Sequence, residues 1–354
     1  MKYANVLVTA AGSIIAQGII KSLRLANIQR SSPVTYRIFT TDINAQAAGL
    51  YRADVGVLIP RPTSPDYVDR VIKICNENKI DAVFVGSDEE LMTLVTAKEQ
   101  IENDTKSVLI ANPEKVIRIA SDKWTTYTYL KERKIFCAES ALPEDREAFI
   151  RKFGFPLVVK PREGHGSLHF YVVNNNDEMK YAISSIQKAG WRPMLQEYLD
   201  GEDNEFTSGV TVDREGKHVM SSISMRKTLK GGQTYKAFID DYDSINKCAE
   251  DVAIKIGARG SINIQSKLMD DKPKIFEINP RFSATCPLRA TAGVNEPDII
   301  FRNVLLNEKI RIRDYRKLVC MRYWNEVYVP ISTYDKTKND KVVQNSDAFI
   351  PNYF

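Results

Sequence analysis

Over the first hundred residues, short apolar runs alternate with segments of helical period, and no other feature limits the fold as tightly. The runs at 6–9, 36–41, 55–59, 82–85 and 108–111 read as strands. Between them, 14–25 places Ile15, Ile19, Ile20 and Leu23 at helical spacing, and 67–78 and 89–99 read as further helices. Such alternation predicts parallel βαβ units with right-handed crossovers. Ligands of such sheets sit at the carboxyl ends of the strands, so Asp42, Ser87, Asp88 and Glu89 are expected at a ligand's edge. The stretch 12–18 lacks the middle glycine of a dinucleotide fingerprint and reads as a tight turn opening a helix.

The second half changes character. Residues 113–135 read as helical, with Pro113 opening one helix and Ser121-Asp122-Lys123-Trp124 as the cap and first turn of the next. A helix at 145–153 leads to a strand at 157–161, a small, polar loop at 162–167 and a strand at 169–173. A helix at 177–188 and a strand at 194–198 follow, then hairpin strands at 206–212 and 218–225, a helix at 243–256, and strands at 261–268 and 274–278. This part is expected to be α+β. In residues 311–354 the spans 319–323 and 326–329 are candidate strands, and the polar tail is expected to be partly disordered.

Composition narrows the class. With 354 residues, 43% hydrophobic and 27% charged, the chain is neither disordered nor a disulfide scaffold. A net charge of +5, spread without long basic blocks, argues against nucleic acid. Five scattered cysteines without a CxxC pair suggest a reducing compartment, and three histidines give no zinc set. No window has the 18 or so apolar residues a membrane span needs. The expectation is a cytoplasmic protein.

Three features carry candidate chemistry. Lys160 ends an apolar strand before Gly164, Gly166 and Ser167, an arrangement suited to phosphate, though an exposed lysine beside a hairpin would read alike. Glu277 and Asn279, two apart on a strand, share a face, and Gln265 lies on the neighbouring strand. These hard oxygens suit Mg²⁺ with phosphates, and Arg281 follows where a guanidinium could hold an anion. The segment 196–201 could present backbone groups to a flat base.

Together, Ser121-Asp122-Lys123, Phe155 to Pro161, Gln196 to Leu199 with Gly201, Asn263 to Gln265 and Glu277 to Ser283 resemble the ATP-grasp superfamily, nearest its carbamoyl-phosphate-synthetase-like branch, over roughly residues 1–310. The resemblance implies a Rossmann-like preATP-grasp domain (1–112), an ATP-grasp domain (113–310) with a lid subdomain at about 125–195, and a C-terminal extension (311–354). It implies that Lys123 and Lys160 touch ATP phosphates, that Gly164, Gly166 and Ser167 form a lid loop, and that Glu197 and Leu199 meet adenine. Glu205, or instead Glu202 or Asn204, would meet the ribose. Gln265, Glu277 and Asn279 would hold Mg²⁺ or Mn²⁺, with Arg281 and Lys160 as the catalytic pair. Asp88, Glu89 and Arg226 are substrate candidates; for Arg226 a solvated basic patch with Lys227 and Lys230 is an equal reading. The sequence after Arg281 differs from the synthetase's serine-rich version and argues against bicarbonate. The expected activity is therefore a stand-alone ligase joining a small-molecule carboxylate to an amine through an acyl phosphate, compatible with a homodimer. The alternatives are an ATP-grasp kinase and a catalytically silent nucleotide-binding protein.

Overall fold

The computed structural model describes residues 2–164, 168–201, 204–323 and 325–352. The first domain runs β1 (Lys2–Val8), α1 (Ile14–Gln29), β2 (Val34–Asp42), β3 (Val55–Leu58), α2 (Tyr67–Asn78), β4 (Ala82–Phe84), α3 (Asp88–Thr96), α4 (Lys98–Asp104) and β5 (Val108–Ile110). Its strands are parallel in the order β3-β2-β1-β4-β5, as the alternation predicts. Alternate residues face opposite layers: Val6, Val8, Tyr36 and Ile38 pack toward α1, and Leu7, Phe39 and Val83 toward α2 and α3. Ser13 caps α1 by accepting the Ile15 N–H. The helix expected at 89–99 breaks at Ala97 into α3 and α4.

Helices α5 (Glu114–Ser121) and α6 (Lys123–Glu132) lead to β6 (Ser140–Ala141), α7 (Arg146–Phe153), β7 (Leu157–Pro161), β8 (Tyr171–Val173), α8 (Asn176–Lys188) and β9 (Pro193–Glu197). The four strands form a small antiparallel sheet, β6-β9-β7-β8. Leu157, Val159 and Leu195 face α7 and α8, which leaves Val158, Lys160 and Gln196 on the other face. Val116, Ile119 and Ala120 of α5 and Leu130 of α6 join the core of the large sheet, and Ile117 of α5 joins that of the first domain.

The large sheet is built from β10 (Glu205–Val212), β11 (Val219–Lys230), β12 (Gln233–Ile239), α9 (Asp243–Ile256), β13 (Gly260–Met269), β14 (Lys272–Asn279), α10 (Cys286–Ala292), α11 (Glu296–Leu306) and β15 (Leu318–Met321). Its order is β14-β13-β10-β11-β12-β15. One face, with Val210, Val212, Ile262 and Ile264, packs on α9. The other carries Glu205, Lys227, Asn263, Gln265, Glu277 and Asn279, which the strand registers bring side by side. Gly209 lies on this face because a Cβ there would come within 1.9 Å of the Glu296 carboxylate, which is fully buried in a pair with Arg289.

Within the C-terminal extension, residues 325–352 carry regular elements where partial disorder was expected. After β15, α12 (Ile331–Asp340) leads to β16 (Val342–Gln344), which pairs antiparallel with the outer edge of β3 in the first sheet. Val343 is buried there among Ala11, Ala47, Leu50 and Tyr51. Residues 326–329 form only an isolated bridge, Tyr328 to Phe349. Among the described residues, no helix is long and apolar enough to cross a membrane.

Candidate active site

Two sheets and the first domain contribute side chains to one cleft. From the small sheet, Lys160 is 5% exposed, and its ammonium donates to Gln196 Oε1 at 2.8 Å. Burial pushes its pKa down from 10.5 to about 8, nearby Lys123 lowers it further, and the Glu277 carboxylate opposes the shift. Glu277 belongs to the large sheet, which the ion pair of Lys274 on β14 with Glu197 on β9, at 2.6 Å, ties to the small one. Lys123, in the first turn of α6, donates to the Gly164 carbonyl at 2.8 Å and holds the start of the loop after β7. Gly166, Ser167 and Glu202 lie outside the described residues.

On the large sheet, Lys227 bridges Glu205 at 2.9 Å and Gln265 Oε1 at 2.5 Å. Asn279 Oδ1 accepts from Arg281 Nη2 at 3.0 Å. Three hard oxygen donors, one of them a carboxylate, line one face. Among the described residues no group of three His, Cys, Asp or Glu forms a protein-only metal cage. This donor set fits Mg²⁺ that arrives with phosphate oxygens and keeps several waters. The Glu197 carboxylate accepts from Lys274 at 2.6 Å and from the Glu139 N–H, while Lys267 holds the Leu199 carbonyl at 2.8 Å. Asn204 donates to the Asp200 and Leu268 carbonyls and ties the turn before β10.

The first domain meets this face at Arg281. Its Nε and Nη2 each donate to Asp88 at 2.9 Å, so the residue expected to hold a substrate ammonium is engaged by the residue expected to hold an anion. Asp88 opens α3, and Gly86 sets that helix close to β1: a Cβ at Gly86 would lie 1.9 Å from the Thr9 carbonyl. Glu89 follows in the same first turn.

Arg226 requires a correction. It pairs across strands with Phe206 and Phe238, and its guanidinium lies over the Phe238 ring at 4.2 Å. Neighbouring strand residues project to opposite faces, so Arg226 points to the α9 side while Lys227 enters the cleft. Lys227, read from the sequence as part of a solvated patch, is 6% exposed. Gln196, Lys267 and Lys274 were also missed. Strand alternation signals two of them: Lys267 lies two beyond Gln265, and Gln196 pairs across from Val158, on the face of Lys160; Lys274 comes opposite Lys267 through the register shift after Gln265, which alternation does not show.

Residues 7–109 match the family described as PylC-like, N-terminal domain, and residues 192–327 match ATP-grasp in the biosynthetic pathway with Ter operon. The chain carries an ATP-grasp domain. Its relatives include the carbamoyl phosphate synthase large chain of Helicobacter pylori, 23% identical over 283 residues, covering 75% of this chain and 26% of that one. The carbamoyl-phosphate synthase of Methanobrevibacter smithii is 24% identical over 326 residues, covering 87% of this chain and 84% of that one. The ATP-grasp chain thus spans about a quarter of the length of the large-chain relatives, 26% and 22% in two of them. Among solved structures, N5-carboxyaminoimidazole synthetase from Staphylococcus aureus complexed with ADP shares the ATP-grasp fold at TM-score 0.67 and 16% identity, over 91% of this chain and 82% of that one. Biotin carboxylase from Campylobacter jejuni does so at TM-score 0.66 and 16% identity, over 84% and 70%.

Proposed function

We propose that this protein is an ATP-dependent carboxylate–amine ligase that forms an amide through an acyl phosphate and releases ADP and phosphate. The observation that carries this reading is the Glu197–Lys274 ion pair that ties the small sheet to the large one, with Lys160 on the Gln196 face of the first, Glu277 and Asn279 side by side on the second, and Arg281 two residues beyond and bonded to Asn279. In this reading the base of ATP lies beside Glu197 and Leu199, the ribose beside Glu205, and the terminal phosphates between Lys160, Lys123 and the Glu277–Asn279 face. Mg²⁺ held by Glu277, Asn279 and Gln265 would neutralise phosphate charge.

The chain's own groups explain the chemistry. Phosphoryl transfer needs positioning and charge neutralisation more than a protein nucleophile. Lys160, buried and lightly held by one amide oxygen, regains its full charge when phosphate oxygens approach. The Arg281 fork matches a carboxylate or an acyl phosphate bidentately, and an incoming anion would draw it from Asp88. The released Asp88 carboxylate then holds the ammonium of the acceptor and receives its proton before attack on the acyl carbon.

A screen of carboxylates against amines, read as ADP release with hydroxylamine as surrogate amine, tests the reading. A hydroxamate formed one-for-one with ADP is expected. A stable phosphorylated alcohol formed without any amine would replace the ligase with a kinase.

A further inference from the structure

A cavity of about 580 Å³ lies behind Arg281, between the first domain and the far end of the large sheet. Leu91, Val95, Ile110, Phe282, Ile300 and Val304 form apolar walls. Arg281 lines it, and so do Arg214 and Arg259, from the turns after β10 and before β13. Among the described residues neither Arg214 nor Arg259 has an ion-pair partner, and both are exposed. Two acids also line it, Glu99 and Glu114, and Glu114 is paired with Arg118. Lys98 is held by Glu102 and by the Leu109 carbonyl.

The cavity runs along β5, an edge strand, yet that edge is closed to an added peptide strand. The Leu109 N–H donates to Glu102 at 2.9 Å and its carbonyl accepts from Lys98 at 2.8 Å. A small ligand fits better. The volume falls in the range of ligand pockets, about 300–1,000 Å³, with mostly apolar walls and few polar anchors. Apolar walls beside Arg281 and two arginines without an ion-pair partner among the described residues call for an apolar body carrying more than one anionic group.

We propose that this cavity receives the body of the carboxylate substrate, and that the substrate is a dianion: its reacting carboxylate at Arg281, an apolar body against the walls, and a second anionic group at Arg214 and Arg259. The proposal rests on the ligase reading and adds the substrate class to it. Octanedioate and octanoate serve as probes, titrated calorimetrically into the full chain with Mg²⁺ and a non-hydrolysable ATP analogue. Octanedioate should bind the wild type more tightly than octanoate. In the Arg214→Gln/Arg259→Gln double variant, octanedioate affinity should fall by about tenfold or more, with octanoate affinity and the nucleotide-induced melting shift unchanged. Val304→Trp, which narrows the cavity, should weaken both probes while the nucleotide shift reports an intact fold. Failure of the wild type to bind either probe, or equal octanedioate affinity in the double variant, would overturn the proposal and leave the ligase reading standing. Arginine-dependent octanedioate binding in a protein with no nucleotide response would keep the site and overturn the ligase reading.

Discussion

The Arg281 guanidinium forks onto the Asp88 carboxylate through Nε and Nη2, both at 2.9 Å, and so closes the end of the large sheet onto the first turn of α3. The pair is partly exposed, so its net contribution to folding is small, about 1 kcal/mol or less. Its chemistry matters more. Arg281→Lys loses the planar fork, and kcat should fall about 10²-fold or more with melting nearly unchanged. Wild-type kcat in this variant would remove Arg281 from the reacting centre. Asp88→Asn should raise KM for the amine and leave nucleotide binding intact.

Lys160 gives a pH prediction with a definite sign. Its folded pKa of about 8 lies below its ordinary 10.5, chiefly through burial. Between those values the unfolded chain binds a proton that the folded chain does not, so stability rises with pH across this window. Below about pH 8 the burial penalty is present in full, on the order of 3 kcal/mol. Urea midpoints of wild type and Lys160→Met should therefore differ most below pH 8 and converge toward pH 10.5. Nucleotide binding near pH 8 should take up a proton, seen as a dependence of the calorimetric enthalpy on the buffer's ionisation enthalpy.

Glu277→Gln removes the only carboxylate among the candidate metal donors while keeping its shape. The Mg²⁺ concentration for half-maximal turnover should rise, kcat should fall about 10²-fold, and melting without nucleotide should hold. An unchanged Mg²⁺ dependence would place the metal elsewhere.

Much of the cleft is legible in the sequence because strands project alternate residues to one face. Glu277 and Asn279 are read this way, and the observed register sets Gln265 opposite Glu277. Arg226 shows the limit of that reading. Adjacent strand residues differ only in face, and choosing between Arg226 and Lys227 needs the cross-strand partners Phe206 and Phe238, which no local pattern supplies. Strand β12 was missed because its first half, Gln233 to Lys236, is polar and mostly exposed. The pairing of β16 with β3 joins residues nearly three hundred positions apart through three residues, too few for any period to show.

That pairing ties the end of the extension to the first sheet, while β15 lies in the large one. Val343→Ala should destabilise the protein by about 1.5–2 kcal/mol, from two buried carbons withdrawn beside Ala11, Ala47 and Leu50. Val343→Asp should cost more. A melting temperature unchanged by Val343→Asp would mean that β16 does not pair with β3 in solution.

The buried Arg289–Glu296 pair beneath Gly209 predicts an asymmetry. Removing one charge, as in Arg289→Ala, leaves Glu296 uncompensated and should destabilise by about 3–5 kcal/mol. Gly209→Ala drives a carbon into the same pair and should be comparably severe. Near-native urea midpoints for both variants would contradict this packing.

The central claim is transfer of the terminal phosphoryl group of ATP to a substrate carboxylate. The most direct measurement uses a turned-over carboxylate labelled with ¹⁸O, with phosphorus NMR identifying the products. The account predicts ADP as the nucleotide and one ¹⁸O atom carried into the released phosphate, because the carboxylate oxygen attacks the phosphorus and leaves with it on amide formation. AMP with pyrophosphate, or phosphate free of the label, would contradict it.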